Sequence, residues 1–278
     1  MFEQIEYEVD DPVATITLSR PDAMNAWTGR MDHEIREAVD RAVADDRVVG
    51  IVITGAGRAF CAGADMNLLD DLSSGRADTA DASVADAPGS SSDEAPGDFD
   101  GRFGFLLSSP KPIIAAVNGA VAGMAYPFAL CCDIRVLCPE SLFVTAFAQR
   151  GLIAEWGLGW LLPRVVGPSV ALDLLMSSRR VGGEEALALG LGNHLVERDD
   201  LLPFCRRYIE QLADSCSPAS IAVMKAQVNA NVHRGLGAAE AAAEQLMKES
   251  FERPDFGEGV RSFIEKRPPR FARITAPV

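Results

Sequence analysis

Two short apolar runs, each ending in a turn of small residues, constrain the fold of this chain most strongly. The first runs from Val48 to Thr54, is rich in β-branched residues and ends in Gly55-Ala56-Gly57. The second runs from Ile113 to Val117 and leads through a small-residue turn at 118–123 into an apolar helical stretch at 124–132. β-Branched runs favour strands, and strands that alternate with helices are typical of α/β proteins. The pattern therefore predicts an α/β fold.

The remaining segments fit the same class. Residues 7–12 and 13–18 predict two strands around an Asp-Asp-Pro turn, and the hydrophobic spacing over 28–44 predicts a helix. A further strand is predicted at 133–137. The last third predicts helices at 169–176, 183–189 and 199–213, a long alanine-rich helical stretch at 217–250 and an amphipathic basic end at 259–270.

Residues from about 73 to 101 differ from their surroundings in composition. They are rich in Asp, Ser, Ala, Gly and Pro and contain few large apolar groups. Such a segment predicts a solvated, mobile loop, for which a lid and a tolerated surface insertion are equally good interpretations. We expect a core over 1–198 that contains this insertion, followed by a helical region over 199–278.

The charge balance excludes some classes of function. With 26 Lys and Arg against 40 Asp and Glu, the net charge is −14, and an acidic surface repels nucleic-acid phosphates. No apolar run approaches the roughly 20 residues that span a bilayer, and the first residues lack a signal-peptide pattern. The six cysteines lack metal-ligand spacing, which predicts reduced structural thiols and no metal site. These features predict a cytoplasmic protein without a membrane or nucleic-acid partner.

The two turns at 60–65 and 118–124 could act together on a ligand. Small residues let a ligand approach the backbone, and unpaired N–H groups at a helix start favour negative charge. Two such turns facing each other could form an oxyanion hole. Each turn alone is a weak signal, because small-residue turns usually serve only close packing.

A longer set of stretches, in this order and spacing, carries a family resemblance. They are residues 18–26, 60–65, 111–123, 132–135, 151–167, 186–193 and 258–267. On these stretches the chain resembles the crotonase superfamily, the enoyl-CoA hydratase/isomerase family. The resemblance implies the crotonase fold, a spiral of repeated ββα units with a C-terminal helical trimerisation region, assembled as a homotrimer or a dimer of trimers. It implies an acyl-CoA thioester as substrate, so that coenzyme A belongs to the substrate and no prosthetic group is expected.

The same resemblance implies roles for individual residues. The backbone N–H groups of Ala64 and Met124 would form the oxyanion hole, with Met124 at a position where the family usually has glycine. The residues implied to line the coenzyme A site are Ala23, Ala26, Ala62, Asp65, Phe263 and Lys266. The last two match C-terminal positions that often reach a neighbouring subunit's site. Arg20, Arg58 and Lys266 are the candidates for the phosphates, and a solvated surface arginine is nearly as good an interpretation of Arg58.

The acidic residues depart from the pattern of the hydratases. Two glutamates hold the water in typical hydratases of the family, and Pro127 and Phe147 occupy those positions here. Glu155 matches the position where several isomerases of the family carry their working carboxylate and related dehalogenases a nucleophilic aspartate. We expect Phe147 and Trp156 to flank Glu155 and to raise its pKa by desolvation.

One retained carboxylate favours isomerisation. The leading hypothesis is therefore an isomerase that shifts an enoyl-CoA double bond from Δ3 to Δ2 with Glu155 as its single acid/base. Three alternatives stay open: an enoyl-CoA hydratase with a rearranged site, a thioester hydrolase in which Glu155 is the nucleophile or activates water, and a catalytically silent acyl-CoA-binding protein. The acyl group and the pathway do not follow from the sequence.

Overall fold

The strands form two sheets in the computed structural model, which describes residues 1–65, 70, 74 and 99–276. In spatial order, the larger sheet contains β1 (Ile5–Asp10), β2 (Val13–Leu18), β3 (Gly50–Gly55), β5 (Ile113–Val117), β7 (Ile134–Leu137) and β10 (His194–Leu195). The smaller sheet contains β4 (Ala59–Cys61), β6 (Ala120–Ala122), β8 (Leu142–Val144) and β9 (Val181–Gly182). Most of the predicted insertion at 73–101 lies outside the described residues.

The sheets are mostly parallel, as the predicted α/β class requires. The strands β2, β3, β5, β7 and β10 run parallel. Among the described strands, only β1 joins the larger sheet antiparallel, through the predicted Asp-Asp-Pro turn. The pairs β3/β4, β5/β6 and β7/β8 each give one strand to each sheet. Because a helix follows the second and the third pair, these strands form the repeated ββα arrangement expected of a spiral.

The helices confirm most of the sequence predictions. They are α1 (Gly29–Ala44), α2 (Gly104–Ser108), α3 (Ala125–Cys131), α4 (Leu158–Val166), α5 (Pro168–Ser177), α6 (Gly183–Ala188), α7 (Leu201–Ser215), α8 (Pro218–Asn231), α9 (Leu236–Glu252) and α10 (Pro254–Glu265). The start of α1 is fixed by Thr28, whose Oγ1 accepts a hydrogen bond of 3.1 Å from the N–H of Met31. This is the capping geometry that threonine favours.

Two helical predictions need correction. The alanine-rich stretch at 217–250 is not one helix: it breaks over residues 232–235, and Gly235 takes an extended conformation before α9. Glycine is a weak helix former, which explains the break. The amphipathic C-terminal helix begins earlier than residue 259, at Pro254, and ends where Lys266 takes a left-handed conformation with φ of 53°.

The larger sheet is covered by apolar side chains on both faces. On one face, α1 contributes Met31 and Ile35 to the main hydrophobic cluster. On the other, Cys205 and Ile209 of α7 pack against the sheet. Since α7 shares a hydrophobic cluster with the strands, it is part of the same packed body, and the division at 198/199 stays a prediction.

Candidate active site

The two small-residue turns lie against each other. An alanine side chain at Gly63 would place its Cβ 2.8 Å from the carbonyl oxygen of Ala122 and 3.6 Å from the Cα of Gly123. Both glycines have positive φ, 92° and 52°, which glycine adopts without strain. Ala64 and Met124 each follow one of these two glycines in sequence. The approach of the turns therefore brings their backbones close together.

Both neighbouring N–H groups are available to a ligand. Within the described part of the chain, neither the Ala64 N–H nor the Met124 N–H donates to a protein acceptor. The side chain of Met124 is buried in the main hydrophobic cluster, and Ala64 packs against that cluster. Two unused backbone donors on adjoining turns are what an oxyanion hole requires, and their role in one stays a prediction.

The loop at 20–27 packs on the first turn and brings several predicted ligand residues together. The N–H of Ala62 donates to the carbonyl oxygen of Met24 at 3.0 Å. The guanidinium of Arg20 donates to the carbonyl oxygen of Ala26 at 2.5 Å and to the carboxylate of Asp65 at 2.9 Å. Ala23, Ala26, Ala62 and Asp65 thus share one region. Arg20 is held by an ion pair there, and its contact with a phosphate stays a prediction.

Two asparagines that the sequence reasoning missed hold these backbone segments. Asn25 is fully buried, and its amide nitrogen donates to the carbonyl oxygens of Ala59 and Ala56 at 2.8 and 2.9 Å. The side chain of Asn118 exchanges hydrogen bonds with the backbone of Gly55, at 3.1 and 2.8 Å. Asn118 precedes a glycine in a turn, a signal that could have pointed to it. Asn25 has a positive φ of 55°, and no feature of the sequence predicted this conformation.

The positions of the two usual glutamates are apolar and buried. Pro127 lies in the first turn of α3, where a missing N–H breaks no helical hydrogen bond, and Phe147 is only 4% exposed. The neighbouring Tyr126 is buried as well, and its hydroxyl has no hydrogen-bond partner among the described residues. Burial raises the pKa of Tyr126 far above its usual range, so its phenol is neutral.

Glu155 lies half-buried in the turn that precedes α4. Burial raises the pKa of its carboxyl, and a hydrogen bond with the Trp156 side chain partly opposes that rise. Trp156 packs against the hydrophobic cluster that contains Phe147 and Met124. The predicted contact with Trp156 is therefore present, whereas direct contact between Glu155 and Phe147 stays a prediction. A desolvated carboxylate is suited to proton transfer.

The other predicted ligand residues lie apart from this cluster within one chain. Arg58 is exposed, and its guanidinium lies 3.5 Å from the Met24 sulfur. Phe263 is 85% exposed on α10, where it borders a cavity of about 550 Å³ between α8, α9, α10 and Phe271. Lys266 is exposed at the end of α10. No described contact within the chain joins either C-terminal residue to the turn of Ala64.

Comparison with known proteins decides the family. A sequence model of the family described as enoyl-CoA hydratase/isomerase matches residues 8–273. The chain belongs to the enoyl-CoA hydratase/isomerase family. Among its relatives, the "Probable enoyl-CoA hydratase" of Rhodobacter capsulatus is 35% identical over 97% of this chain and 98% of that protein. The 1,2-epoxyphenylacetyl-CoA isomerase of Escherichia coli is 30% identical over 98% of this chain and 99% of that protein.

The solved structures of this family agree in fold. The crystal structure of an enoyl-CoA hydratase/isomerase from Mycobacterium paratuberculosis superposes with a TM-score of 0.84, at 32% identity over 98% of this chain and 99% of that chain. The predicted crotonase fold is therefore confirmed, and the chain is an enzyme of the crotonase superfamily. None of the helices that the structure describes combines the length and apolarity needed to cross a bilayer.

Proposed function

We propose that this member of the family is an enoyl-CoA isomerase that moves a double bond from Δ3 to Δ2, with Glu155 as its single acid/base. The observation that carries the proposal is the distribution of carboxylates. Glu155 is half-buried with a raised pKa, while Pro127 and Phe147 fill the positions of the two hydratase glutamates. A site with one proton-transferring group suits a reaction that only relocates a proton.

The proposed chemistry uses one carboxylate and two donors. Glu155 removes a proton from C2, and the electron pair moves onto the thioester oxygen to give a dienolate. The N–H groups of Ala64 and Met124 stabilise that oxygen, and one such donor is worth roughly 2.7–4 kcal/mol in the transition state. The protonated Glu155 then returns the proton to C4, which leaves the double bond between C2 and C3.

Binding of the thioester is assigned to the region that the loop at 20–27 forms with the first turn. Ala23, Ala26, Ala62 and Asp65 would line coenzyme A, with Arg58 on the exposed side for a phosphate. In this proposal coenzyme A is part of the substrate, and the chemistry calls for no prosthetic group. The backbone hydrogen bond between Ala62 and Met24 and the side-chain ion pair between Arg20 and Asp65 support a preformed site.

The assembly is proposed to be a homotrimer or a dimer of trimers. Several large apolar side chains on the C-terminal helices are exposed in the single chain, among them Met224, Val228, Leu236, Phe251, Phe263 and Ile264. Apolar surface of this extent is typical of an interface. A neighbouring subunit would then bring Phe263 and Lys266 to a coenzyme A site. Sedimentation equilibrium tests this assembly, and a monomer at micromolar concentration would contradict it.

A cytoplasmic location is part of the proposal. The six cysteines are unpaired and five of them are buried, which suits a reducing compartment.

The second candidate is an enoyl-CoA hydratase with Glu155 orienting the water, which the name of the Rhodobacter relative favours. A direct comparison separates the two. The purified protein is given a 3-enoyl-CoA and, separately, the matching 2-enoyl-CoA, and both reactions are followed by the ultraviolet absorbance of the conjugated thioester. The isomerase proposal expects faster formation of the 2-enoyl-CoA than hydration of it. Faster hydration would favour the hydratase.

A further inference from the structure

A buried cluster of charges lies beside the proposed catalytic turn and carries one uncompensated positive charge. The carboxylate of Asp32 pairs with the Nε atoms of Arg36 and Arg102, each at 3.2 Å. The side chains of Asp32 and Arg102 are 4% and 5% exposed. In the described part of the chain, neither arginine pairs with a second carboxylate. Two cations therefore share one anion. Asp32 and Arg102 are buried, whereas the side chain of Arg36 is 21% exposed.

Arg102 also has an unused hydrogen-bond donor. Its Nη1 atom is buried and has no hydrogen-bond partner in the part of the chain that the structure describes, and the residue as a whole is 8% exposed. Buried arginines almost always satisfy their N–H groups, because leaving one unpaired sacrifices its hydration. The unpaired Nη1 donor of Arg102, in a cluster with one more cation than anions, indicates that a ligand supplies the acceptor.

The guanidinium of Arg102 lies between the elements that make the site. It stacks over the ring of Trp156 at 4.7 Å, and Trp156 is the residue whose side chain bonds Glu155. The next residue, Phe103, packs edge-on against Trp27 at 5.5 Å, and Trp27 pairs with Ala64 of the first turn. Arg102 therefore contacts Trp156, the neighbour of the proposed base Glu155. Through Phe103 and Trp27 it is also connected to Ala64, a proposed oxyanion donor.

We propose that Arg102 is a specificity-determining residue that binds an oxygen atom on the acyl group, remote from the thioester. This inference rests on the proposed function, since it places the acyl group beside Glu155 and Trp156. The ligand group that Arg102 requires is an oxygen that accepts a hydrogen bond, and either a carboxylate or a carbonyl on the acyl group could supply it. A carboxylate would neutralise the excess charge of the cluster and, through the planar guanidinium, could accept two hydrogen bonds. The preferred acyl group therefore carries an oxygen at its far end, and a plain hydrocarbon chain binds less well.

Binding measured without turnover tests this assignment. Three saturated eight-carbon acyl-CoAs are titrated calorimetrically: one with a terminal carboxylate, one with a carbonyl next to the terminal methyl and one plain hydrocarbon. We expect the wild type to bind the carboxylate at least tenfold more tightly than the hydrocarbon, with the carbonyl between them. Arg102→Met should abolish the preference and change hydrocarbon affinity by less than threefold. Arg102→Lys should retain part of the preference for the carboxylate only.

Two further variants serve as controls for the effect of Arg102→Met. Asp32→Asn combined with Arg102→Met removes both partners, so that no lone carboxylate is left buried, and it should show the same lost preference. Glu155→Gln should keep the wild-type preference, because binding needs no proton transfer.

Three results would overturn the assignment. The first is a wild-type protein that binds the hydrocarbon acyl-CoA as tightly as the two oxygenated acyl-CoAs. The second is an Arg102→Met protein that loses affinity for all three acyl-CoAs equally. Either result leaves the isomerase proposal standing. If no acyl-CoA binds at all, the proposed function fails and the assignment fails with it.

Discussion

Gly63 and Gly123 meet so closely that a side chain on the first would press against the backbone beside the second. A Cβ atom on residue 63 would lie 2.8 Å from the carbonyl oxygen of Ala122. This approach places the two proposed donors, Ala64 and Met124, next to each other. Close packing of two glycine turns is therefore the structural condition for the proposed oxyanion hole.

Gly63→Ala should separate the two turns. The substitution strains a positive φ and adds a contact with backbone, which cannot move aside cheaply. We expect a loss of at least about tenfold in kcat, because misplacing one oxyanion donor costs a few kcal/mol. Gly190→Ala is the matched control: its φ is also positive, at 82°, but the nearest atom to its Cβ, the carbonyl oxygen of Val165, would lie 3.5 Å away. Equal losses of activity in both variants would contradict the role assigned to the turn.

The ion pair between Arg20 and Asp65 should couple the loop at 20–27 to the first turn. Both side chains are largely buried, and they are 2.9 Å apart. A double-mutant cycle with Arg20→Met and Asp65→Asn, read by thermal unfolding, should give a coupling free energy of about 1 kcal/mol. Each single variant should weaken coenzyme A binding more than it lowers kcat. Additive effects on stability would show that the pair does not position the loop.

The pH dependence of turnover should report the raised pKa of Glu155. Burial favours the protonated form, so the basic form is lost on acidification at a higher pH than for an ordinary glutamate near 4.5. The acidic limb of kcat/KM should accordingly lie above that value. Trp156→Phe removes the hydrogen bond that stabilises the carboxylate and should move the limb to still higher pH. An acidic limb that Trp156→Phe leaves in place would mean that another group controls it.

Glu258 should stabilise the C-terminal segment in a pH-dependent way. Its carboxylate accepts bonds from the Arg267 guanidinium at 2.6 and 3.0 Å and from the Arg270 N–H at 2.8 Å. These contacts lower its pKa to about 2, so its contribution is present above about 4.5 and fades as the pH falls toward 2. The melting temperature of Glu258→Gln should therefore fall less than that of the wild type between pH 7 and pH 3. Parallel losses in the two proteins would contradict this linkage.

The sequence predicted those elements of the fold whose formation depends on neighbouring residues in the chain. The β-branched run before Gly55 and the Thr28 cap act through near neighbours, and both elements appeared where they were predicted. The turns at 60–65 and 118–124 were found from their small residues, but only the family resemblance supplied their long-range pairing.

Arg102 illustrates what the sequence could not reveal. It follows Asp100 and Gly101 at the end of a polar segment, where a solvated residue is the natural expectation. Its ion-pair partner lies 70 residues earlier, and Trp156 lies 54 residues later. Because both contacts depend on the closed fold, no spacing rule could have joined them.

The most direct test of the account is the conversion of a 3-enoyl-CoA to the conjugated 2-enoyl-CoA by the wild type, Glu155→Gln and a control. The control is Glu184→Gln, which removes an exposed carboxylate in the first turn of α6. Removing a general base costs roughly 100-fold or more, so Glu155→Gln should lose at least that in kcat while it binds acyl-CoA as before. Glu184→Gln should match the wild type. Full turnover by Glu155→Gln would contradict the single-base mechanism.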